Sequence, residues 1–254
     1  MGAVASFISS PTSVTALTTA SQPSKTTVSK RLFLAVELPG NAKDLCLETI
    51  THKLLPLDRT EKEKFSVKWI LNPALFHCTL QFLGSVEEER IQDLSDQLRE
   101  QLQPLAPFTL QLGGLGCFPN HKSTKNVNVV WLGLEGETQE LNDLSNKVMD
   151  ITEPLGFCRE RRSFSAHITL GRVKRTCGGR RKRGRGKGQE IPSSLPPVLQ
   201  GQLDRMMHVA DTNESAETTS TCSFQVNQVA LMESRLSQSG PEYIMLERFD
   251  LGKV

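Results

Sequence analysis

Two segments with the same local pattern, HCTL from position 77 and HITL from position 167, constrain this chain more than any other feature. They lie 90 residues apart, and a phenylalanine precedes each within three residues. Because side chains alternate along a β-strand, the histidine and threonine of each segment share one face, and the apolar residues share the other. The pattern predicts two similar strands whose apolar faces pack in a core. They present His77, Thr79, His167 and Thr169 to a surface or a cleft.

The patterning along the chain predicts an α+β fold with antiparallel sheets. Strand-like segments outnumber helical ones and several adjoin directly, which excludes a regular β-α-β winding. The predicted helices span about 41–55, 86–103 and 137–152, and the predicted strands span 31–39, 64–70, 76–84, 107–118, 127–134, 162–173, 222–234 and 243–251. Asn41 is expected to cap the first helix, and Ser85 with Glu88 forms a capping box for the second. Gly240 and Pro241 predict the turn between the last two strands.

Charge divides the chain into three regions. The formal net charge is +2, from 30 Lys and Arg and 28 Asp and Glu. Residues 174–187 hold eight of the bases and residues 1–30 hold two, with no acid in either, so the remainder has 20 bases and 28 acids, or −8. We therefore predict an acidic folded body over 31–173 and 222–254, a disordered segment 1–30 and a basic, largely disordered insertion 174–221. A broad basic nucleic-acid surface on the body is not expected.

The first 30 residues are rich in serine and threonine and lack acids, as organellar transit peptides do. They favour a plastid over a mitochondrial type, and thus a chloroplast or other organelle, with a cytoplasmic or nuclear location as the alternative. An ordinary tail, or myristoylation of Gly2 through the M-G-x-x-x-S pattern with Ser6, stays open. No apolar run approaches the roughly 18 residues of a membrane span. The six cysteines show no C-x-x-C spacing, which favours buried, reduced thiols.

The residue types of the paired segments suit phosphodiester chemistry. Histidine can take or give a proton near neutral pH, and threonine hydroxyls donate hydrogen bonds to phosphate oxygens. If the two strands meet, one phosphate fits between two histidines and two threonines, and no metal is required. Structural histidines are the plain alternative. A zinc site, a Ser-His-Asp hydrolase and a P-loop ATPase fit less well, because the usual ligand set, the G-x-S-x-G elbow and the Gly-rich lysine loop are missing.

The paired motifs resemble the 2H phosphoesterase superfamily, and within it the RNA 2′,3′-cyclic phosphodiesterases, also called 2′-5′ RNA ligases. The blocks RLFLAVELP, FHCTLQFLGSV, VVWLGLEG, FSAHITLGRV and VALMESRLSQSGPEYIMLERFDL are similar to those of the family in the same order, over about 31–173 and 222–251. The resemblance implies a bilobal, pseudo-two-fold duplication. Two antiparallel sheets flanked by helices would surround a central groove, with one motif from each lobe.

The resemblance also implies the roles of the site residues. His77 would be the proton donor and His167 the proton acceptor that activates water, although the near-symmetry allows an exchange. Thr79 and Thr169 would hold the phosphate. Two further residues have open alternatives: Arg172 contacts phosphate or is an exposed charge at a strand end, and Phe118 stacks on a base or packs in the core. His121 is predicted to have no role in the site.

The implied substrates are RNA with 2′,3′-cyclic phosphate ends, or cyclic nucleotides. The implied product carries a 2′-phosphate, and reversible 2′-5′ ligation would be a secondary activity. No cofactor and no metal are expected, and the protein is expected to be a monomer. The alternative is a binding module that holds nucleotides or RNA in the same groove without turnover.

The basic run at 180–188 has three readings. It attracts RNA through phosphate contacts, it is a nuclear localisation signal, or it is a neutral solvated insertion.

Overall fold

The computed structural model of the protein describes residues 28–58, 67–119, 127–173, 198–199, 201, 222–238 and 240–252. These residues form nine strands and three α-helices. The strands are β1 (Ser29–Glu37), β2 (Val67–Trp69), β3 (His77–Glu87), β4 (Phe108–Phe118), β5 (Val129–Gly136), β6 (His167–Val173), β7 (Ser223–Val226), β8 (Gln228–Ser237) and β9 (Gly240–Asp250). The helices are α1 (Gly40–Glu48), α2 (Glu88–Leu102) and α3 (Thr138–Thr152).

The strands form two sheets, a four-stranded one in the order β3-β1-β8-β9 and a five-stranded one in the order β2-β6-β5-β4-β7. Every pairing in both sheets is antiparallel. The α+β fold with two antiparallel sheets, predicted from the sequence, is confirmed. Each sheet holds one of the paired motifs, on β3 and on β6.

Strand β1 is apolar on both faces because both faces are covered. Leu32, Leu34 and Val36 belong to the main core, whereas Phe33 and Ala35 pack in a second small cluster on the opposite face. All five side chains are at most 2% exposed. A central strand buried on both sides has an unbroken apolar run, which is the pattern that the sequence shows.

Helices α2 and α3 follow the predicted apolar spacing and pack against each other and against the four-stranded sheet. The buried positions of α2 include Leu94, Leu98 and Leu102, and those of α3 include Leu141, Leu144, Val148 and Ile151. Each buried leucine contributes roughly 1.5–3 kcal/mol of transfer free energy, so this interface holds the sheet firmly.

Two predicted helix caps are wrong. Helix α1 begins at Gly40 with Pro39 as the N-cap, and Asn41 lies inside the helix, where its Oδ1 accepts from the amide of Ala42 at 3.0 Å. Ser85 lies within β3, which runs on to Glu87, and its hydroxyl donates to Ser29 Oγ at 2.8 Å. The long pairing of β3 with β1 recruits the residues that the capping-box pattern assigned to a helix start.

The predicted strand 222–234 is two strands in different sheets. Strand β7 joins the five-stranded sheet and β8 joins the four-stranded sheet, with Asn227 between them. The turn predicted at Gly240 and Pro241 is also wrong. Both residues already pair with β8, Gly240 with Ser237 and Pro241 with Leu236. Because the predicted strand 222–234 is divided into β7 and β8, the described residues form nine strands where the sequence predicts eight.

The limits of the predicted regions differ in detail from the structure. Strand β1 begins at Ser29, two residues inside the segment predicted as a disordered leader, and the rest of that prediction lies outside the described residues. Most of the insertion 174–221, including the basic run, also lies outside them. Leu199 within it is fully buried in the main core. The insertion therefore contributes at least one core residue.

Two smaller expectations concern the membrane and the cysteines. Among the described residues, no helix has the length and apolar character needed to cross a membrane. Cys46, Cys78 and Cys117 are buried free thiols, as predicted, whereas Cys158 is exposed and Cys222 is partly exposed.

Candidate active site

The two motifs meet across the junction of the two sheets. His77 is the first residue of β3 and His167 the first residue of β6, and these two strands lie against each other. The backbone of His167 hydrogen-bonds the Cys78 thiol and opposes the rise in that thiol's pKa that burial causes. The apolar residues of one motif therefore pack directly beside the other motif, so the polar faces open into a shared groove.

That groove has a volume of about 880 Å³. Its lining includes His77, Thr79, His167, Thr169 and Arg172. The structure thus brings five of the six predicted site residues together.

Both histidines are oriented by the same hydrogen bond. His77 Nδ1 lies 2.8 Å from the carbonyl oxygen of Leu75, and His167 Nδ1 lies 2.7 Å from that of Ser165. A carbonyl oxygen can only accept, so each Nδ1 donates a proton. In the neutral form, each Nε2 is then the free base. The local strand geometry gives two imidazoles with the same tautomer and the same presentation.

The environment lowers the pKa of both histidines. The pKa of His77 is lowered to about 4, mainly by burial, with smaller contributions from the positive charges of His167, Arg172 and Lys43. Burial also lowers the pKa of His167, with a smaller contribution from Arg172. Hydrogen bonds to Leu75 and Ser165 act in the opposite direction without overcoming burial. In the free protein both imidazoles are therefore neutral bases at pH 7.

Thr79 is already bonded within its motif. Its Oγ1 lies 3.0 Å from His77 Nε2, and because Nδ1 carries the proton, the hydroxyl donates to Nε2. This arrangement fixes the hydroxyl beside the nitrogen that would exchange a proton with a substrate.

Aromatic rings surround each histidine. Tyr243 is edge-on to His77 at a centroid distance of 5.1 Å, and Phe33 is tilted against it at 5.0 Å. In the other sheet, Phe118 is edge-on to His167 at 4.9 Å. The matching edge-on neighbours make the surroundings of the two imidazoles similar, as expected for a pseudo-two-fold site.

The edge-on contact with His167 positions the ring of Phe118. It also packs against Trp131 at a centroid distance of 5.3 Å, and it is not among the residues that line the groove. Its predicted stacking on a base stays a prediction, and the contact observed is with His167. His121 lies outside the described residues.

Continued alternation along the strand from His77 predicts Phe82 on the apolar face, opposite His77, and this prediction is wrong. The pairing with β1 shifts register once between Thr79 and Phe82, so that Ala35 pairs with Thr79 but Phe33 pairs with Phe82. Two successive buried residues, Leu80 and Gln81, separate Thr79 from Phe82. The irregularity returns Phe82 to the groove face, where its side chain is 64% exposed.

Two further groove residues, Tyr243 and Lys68, were missed by the sequence reasoning. Tyr243 comes from β9, far along the chain, and its one sequence signal is that it is the only tyrosine. Lys68 on β2 is the cross-strand partner of Arg172 on β6. Like charges opposite each other on neighbouring strands are destabilising, so this pair suits a site that receives an anion. Glu242 is the one carboxylate among the described residues that line this groove.

No cluster of three or more metal-ligating side chains occurs in the parts of the chain that the structure describes. The donors that converge in the groove are instead two imidazoles, two hydroxyls and cationic side chains, which are groups that bind and protonate phosphate esters.

Comparison with known proteins agrees with this geometry. Residues 48–129 match the family described as LigT-like phosphoesterase. An RNA 2′,3′-cyclic phosphodiesterase of Archaeoglobus fulgidus is 37% identical over 145 residues, covering 57% of this chain and 73% of the relative. This chain belongs to the LigT-like phosphoesterase family.

Other members of the LigT-like phosphoesterase family match over more of the chain. An RNA 2′,3′-cyclic phosphodiesterase of Aeropyrum pernix is 31% identical, over 77% of this chain and 87% of its own length. One from Methanothermobacter thermautotrophicus is 29% identical, over 87% of this chain and 98% of its own.

Solved structures share the fold. A Thermus thermophilus protein aligns with a TM-score of 0.59 and 26% identity, over 88% of this chain and all of its own. LigT of E. coli, solved with 3′-AMP, has the same TM-score at 22% identity, over 89% of this chain and all of its own.

Proposed function

We propose that this protein hydrolyses 2′,3′-cyclic phosphodiesters, at RNA ends or on nucleotides, to 2′-phosphates by metal-independent acid/base catalysis with two histidines. The observation that carries the proposal is the shared groove, in which His77 and His167 are each held through Nδ1 and accompanied by Thr79 and Thr169. Relatives named RNA 2′,3′-cyclic phosphodiesterase support the cyclic phosphodiesterase part of the proposal.

In the proposed reaction, Nε2 of His167 takes a proton from a water molecule. The water oxygen forms a bond to phosphorus while the bond from phosphorus to the ribose 3′ oxygen breaks. His77 gives a proton to that leaving oxygen, and the phosphate remains on the 2′ oxygen. His167 then releases its proton and His77 regains one, so the cycle consumes one water and one ester bond.

The donor role of His77 requires a protonated imidazole, although its pKa is about 4 in the free protein. A phosphodiester carries a negative charge, and an opposite charge within a few ångströms favours the charged form of histidine. Substrate therefore raises the pKa of the residue that must act as the acid. If the 5′ hydroxyl of a second RNA strand takes the place of water, its oxygen bonds to phosphorus while the bond to the 3′ oxygen breaks, which forms a 2′-5′ linkage as the proposed secondary activity. Reversal of that step exchanges the roles of the two histidines, and both have the same Nδ1 anchor.

Thr79, Thr169 and Arg172 act on the phosphate. Hydroxyl and guanidinium groups donate hydrogen bonds to the non-bridging oxygens, and they matter most if they fit the pentacovalent transition state better than the substrate. Arg172 supplies positive charge that already reaches both histidines, since it lowers the pKa of each. The same charge stabilises the negative charge that develops on phosphorus.

The direct experiment is to follow adenosine 2′,3′-cyclic monophosphate by phosphorus NMR with the purified protein, with and without EDTA. The proposal predicts conversion to 2′-AMP alone, at the same rate in both conditions. Formation of 3′-AMP would contradict the assigned bond cleavage, and loss of turnover in EDTA would contradict metal independence. Tight binding without any product would favour the alternative, a non-catalytic nucleotide- or RNA-binding module that uses the same groove.

A further inference from the structure

A second cavity, of about 460 Å³, adjoins the groove on the other side of Phe82. It is lined by Phe82 and by the loop residues Cys158, Arg159, Glu160, Arg161 and Arg162, which lie between α3 and β6. Phe82 lines both cavities, so one exposed ring separates the phosphate-binding groove from an arginine-rich loop.

The loop is attached to the strand of the first motif. The buried side chain of Gln81, 3% exposed, donates from Nε2 to the carbonyl of Cys158 at 3.3 Å and accepts from Thr152 Oγ1 at 2.8 Å. Gln81 is the residue before Phe82, so the position of the loop is tied to the position of the ring. The second cavity is thus a built feature of the fold.

The charged residues that line the second cavity differ in the ion pairs and hydrogen bonds that they form. Arg159 is paired with Asp150 at 2.6 Å and lies 3.4 Å from Glu153. Glu160 accepts from the backbone amides of Arg161 and Arg162 at 3.0 and 3.2 Å, which holds the loop turn. The Arg162 side chain is 90% exposed, and its ion pair with Glu160 is long, with 3.6 Å between Nε and Oε1. The exposed guanidinium groups of Arg161 and Arg162 can therefore approach an anion.

We propose that this second cavity binds the RNA strand on the 5′ side of the cyclic phosphate. A base stacks on Phe82, and a backbone phosphate binds Arg161 and Arg162. The inference rests on the proposed function and specifies its substrate as an oligoribonucleotide end in preference to a mononucleotide. An exposed aromatic ring next to a cationic loop is the combination that single-stranded nucleic acid recognises, since bases stack and phosphates pair with arginine.

The test compares a 2′,3′-cyclic mononucleotide with a short oligoribonucleotide that ends in a 2′,3′-cyclic phosphate. The wild-type protein should have the higher kcat/KM on the oligoribonucleotide. In the double variant Arg161→Gln/Arg162→Gln, kcat/KM should fall roughly tenfold on the oligoribonucleotide and should not change on the mononucleotide. Removing the contact to this one backbone phosphate should also reduce the slope of log kcat/KM against log salt by about 0.7, on the counterion-release estimate for single strands.

A matched control removes two positive charges elsewhere. Arg31 is exposed on β1 and Lys53 is exposed between α1 and β2, and neither lines either cavity. Arg31→Gln/Lys53→Gln should leave the oligoribonucleotide rate and its salt slope as in the wild type. Phe82→Leu should weaken the oligoribonucleotide preference, and Phe82→Tyr, which keeps a ring, should retain it.

The outcomes separate the two proposals. Normal mononucleotide hydrolysis with no oligoribonucleotide preference, or with a preference that the arginine variant keeps, overturns the second cavity as a strand-binding site and leaves the catalytic proposal intact. Absence of hydrolysis of either substrate overturns the catalytic proposal. Fluorescence anisotropy with a 3′-phosphorylated oligoribonucleotide then tests the cavity separately, and equal Kd for the wild type and the arginine variant overturns it.

Discussion

The Oγ1 atom of Thr79 lies 3.0 Å from Nε2 of His77, so the threonine of the first motif donates to the nitrogen of its own histidine. A phosphate oxygen that enters the groove competes for this hydroxyl and brings a negative charge to the imidazole. Binding therefore exchanges one neutral hydrogen bond for two charge-assisted ones, which are roughly twice as strong. The relationship couples phosphate recognition to protonation of His77.

The first prediction concerns this hydroxyl. Thr79→Val keeps the shape of the side chain and removes its donor, so kcat/KM on a cyclic nucleotide should fall about 10- to 100-fold, the equivalent of one hydrogen bond to a charged group. Thr79→Ser should retain activity within a few-fold. Steady-state kinetics measure both, and equal rates for the valine variant and the wild type would contradict a phosphate-binding role.

The second prediction is a change in protonation on ligand binding. The pKa of His77 is about 4 in the free protein, and bound 2′-AMP should raise it by at least about one unit through the phosphate charge. A titration of the imidazole resonances by NMR, with His77→Asn for assignment, measures this shift. An unchanged pKa of His77 with saturating 2′-AMP would argue against its role as the acid.

The third prediction concerns stability against pH. The pKa of His77 is lowered from 6.5 to about 4 by burial, so the unfolded chain binds the proton more tightly. The contribution of the neutral imidazole is fully present above pH 6.5 and is lost as the pH falls through that value towards 4. Between pH 7.5 and 4.5 the loss is on the order of 2–3 kcal/mol in free energy of unfolding.

Urea unfolding at pH 7.5 and at pH 4.5 tests whether the free energy of unfolding changes in the predicted direction. His77→Asn should lose less stability on acidification than the wild type, because asparagine does not titrate, whereas His52→Asn at an exposed position should behave as the wild type does. A larger acid loss in His77→Asn than in the wild type would contradict the assigned shift.

The fourth prediction concerns the support of the groove wall. The buried carboxylate of Asp58 accepts from the backbone amide of Val67 at 3.0 Å and from the indole nitrogen of Trp69 at 2.9 Å. Trp69 lines the groove. Asp58→Ala leaves both buried donors without this acceptor, so the free energy of unfolding should fall by about 3 kcal/mol. Asp93→Ala, an exposed carboxylate on α2, should change it by less than about 0.5 kcal/mol, and equal effects of the two would refute the anchoring role.

The sequence predicts the parts of this site that depend on local alternation. His77 with Thr79, and His167 with Thr169, share faces because each pair lies on a regular stretch of strand. Phe82 breaks the rule, because a register shift between β1 and β3 interrupts the alternation after Thr79, before the strand reaches that residue. Such irregularities arise from pairing with another strand and leave no mark in the local pattern.

The sequence could not predict, for the same reason, how elements that are distant in the chain are placed relative to one another. Strand β7 leaves the five-stranded sheet at Asn227, and β8 begins in the other sheet one residue later, although the apolar pattern reads as one strand. Tyr243 contacts the ring of His77 although it lies on β9, at the opposite edge of the four-stranded sheet from β3. The capping box at Ser85 failed because strand pairing with β1 extends to Glu87 and outweighs a local cap.

The central claim is that His77 and His167 act together as acid and base on one phosphorus. Its most direct test is single-turnover hydrolysis of a 2′,3′-cyclic nucleotide by His77→Ala, by His167→Ala and by the exposed control His52→Ala. Loss of a general acid or base lowers the rate about 10²- to 10⁴-fold. The single-turnover rates of both groove variants should therefore fall by at least that much, while the control retains the wild-type rate. A groove variant that folds normally and still turns over at the wild-type rate would contradict the claim.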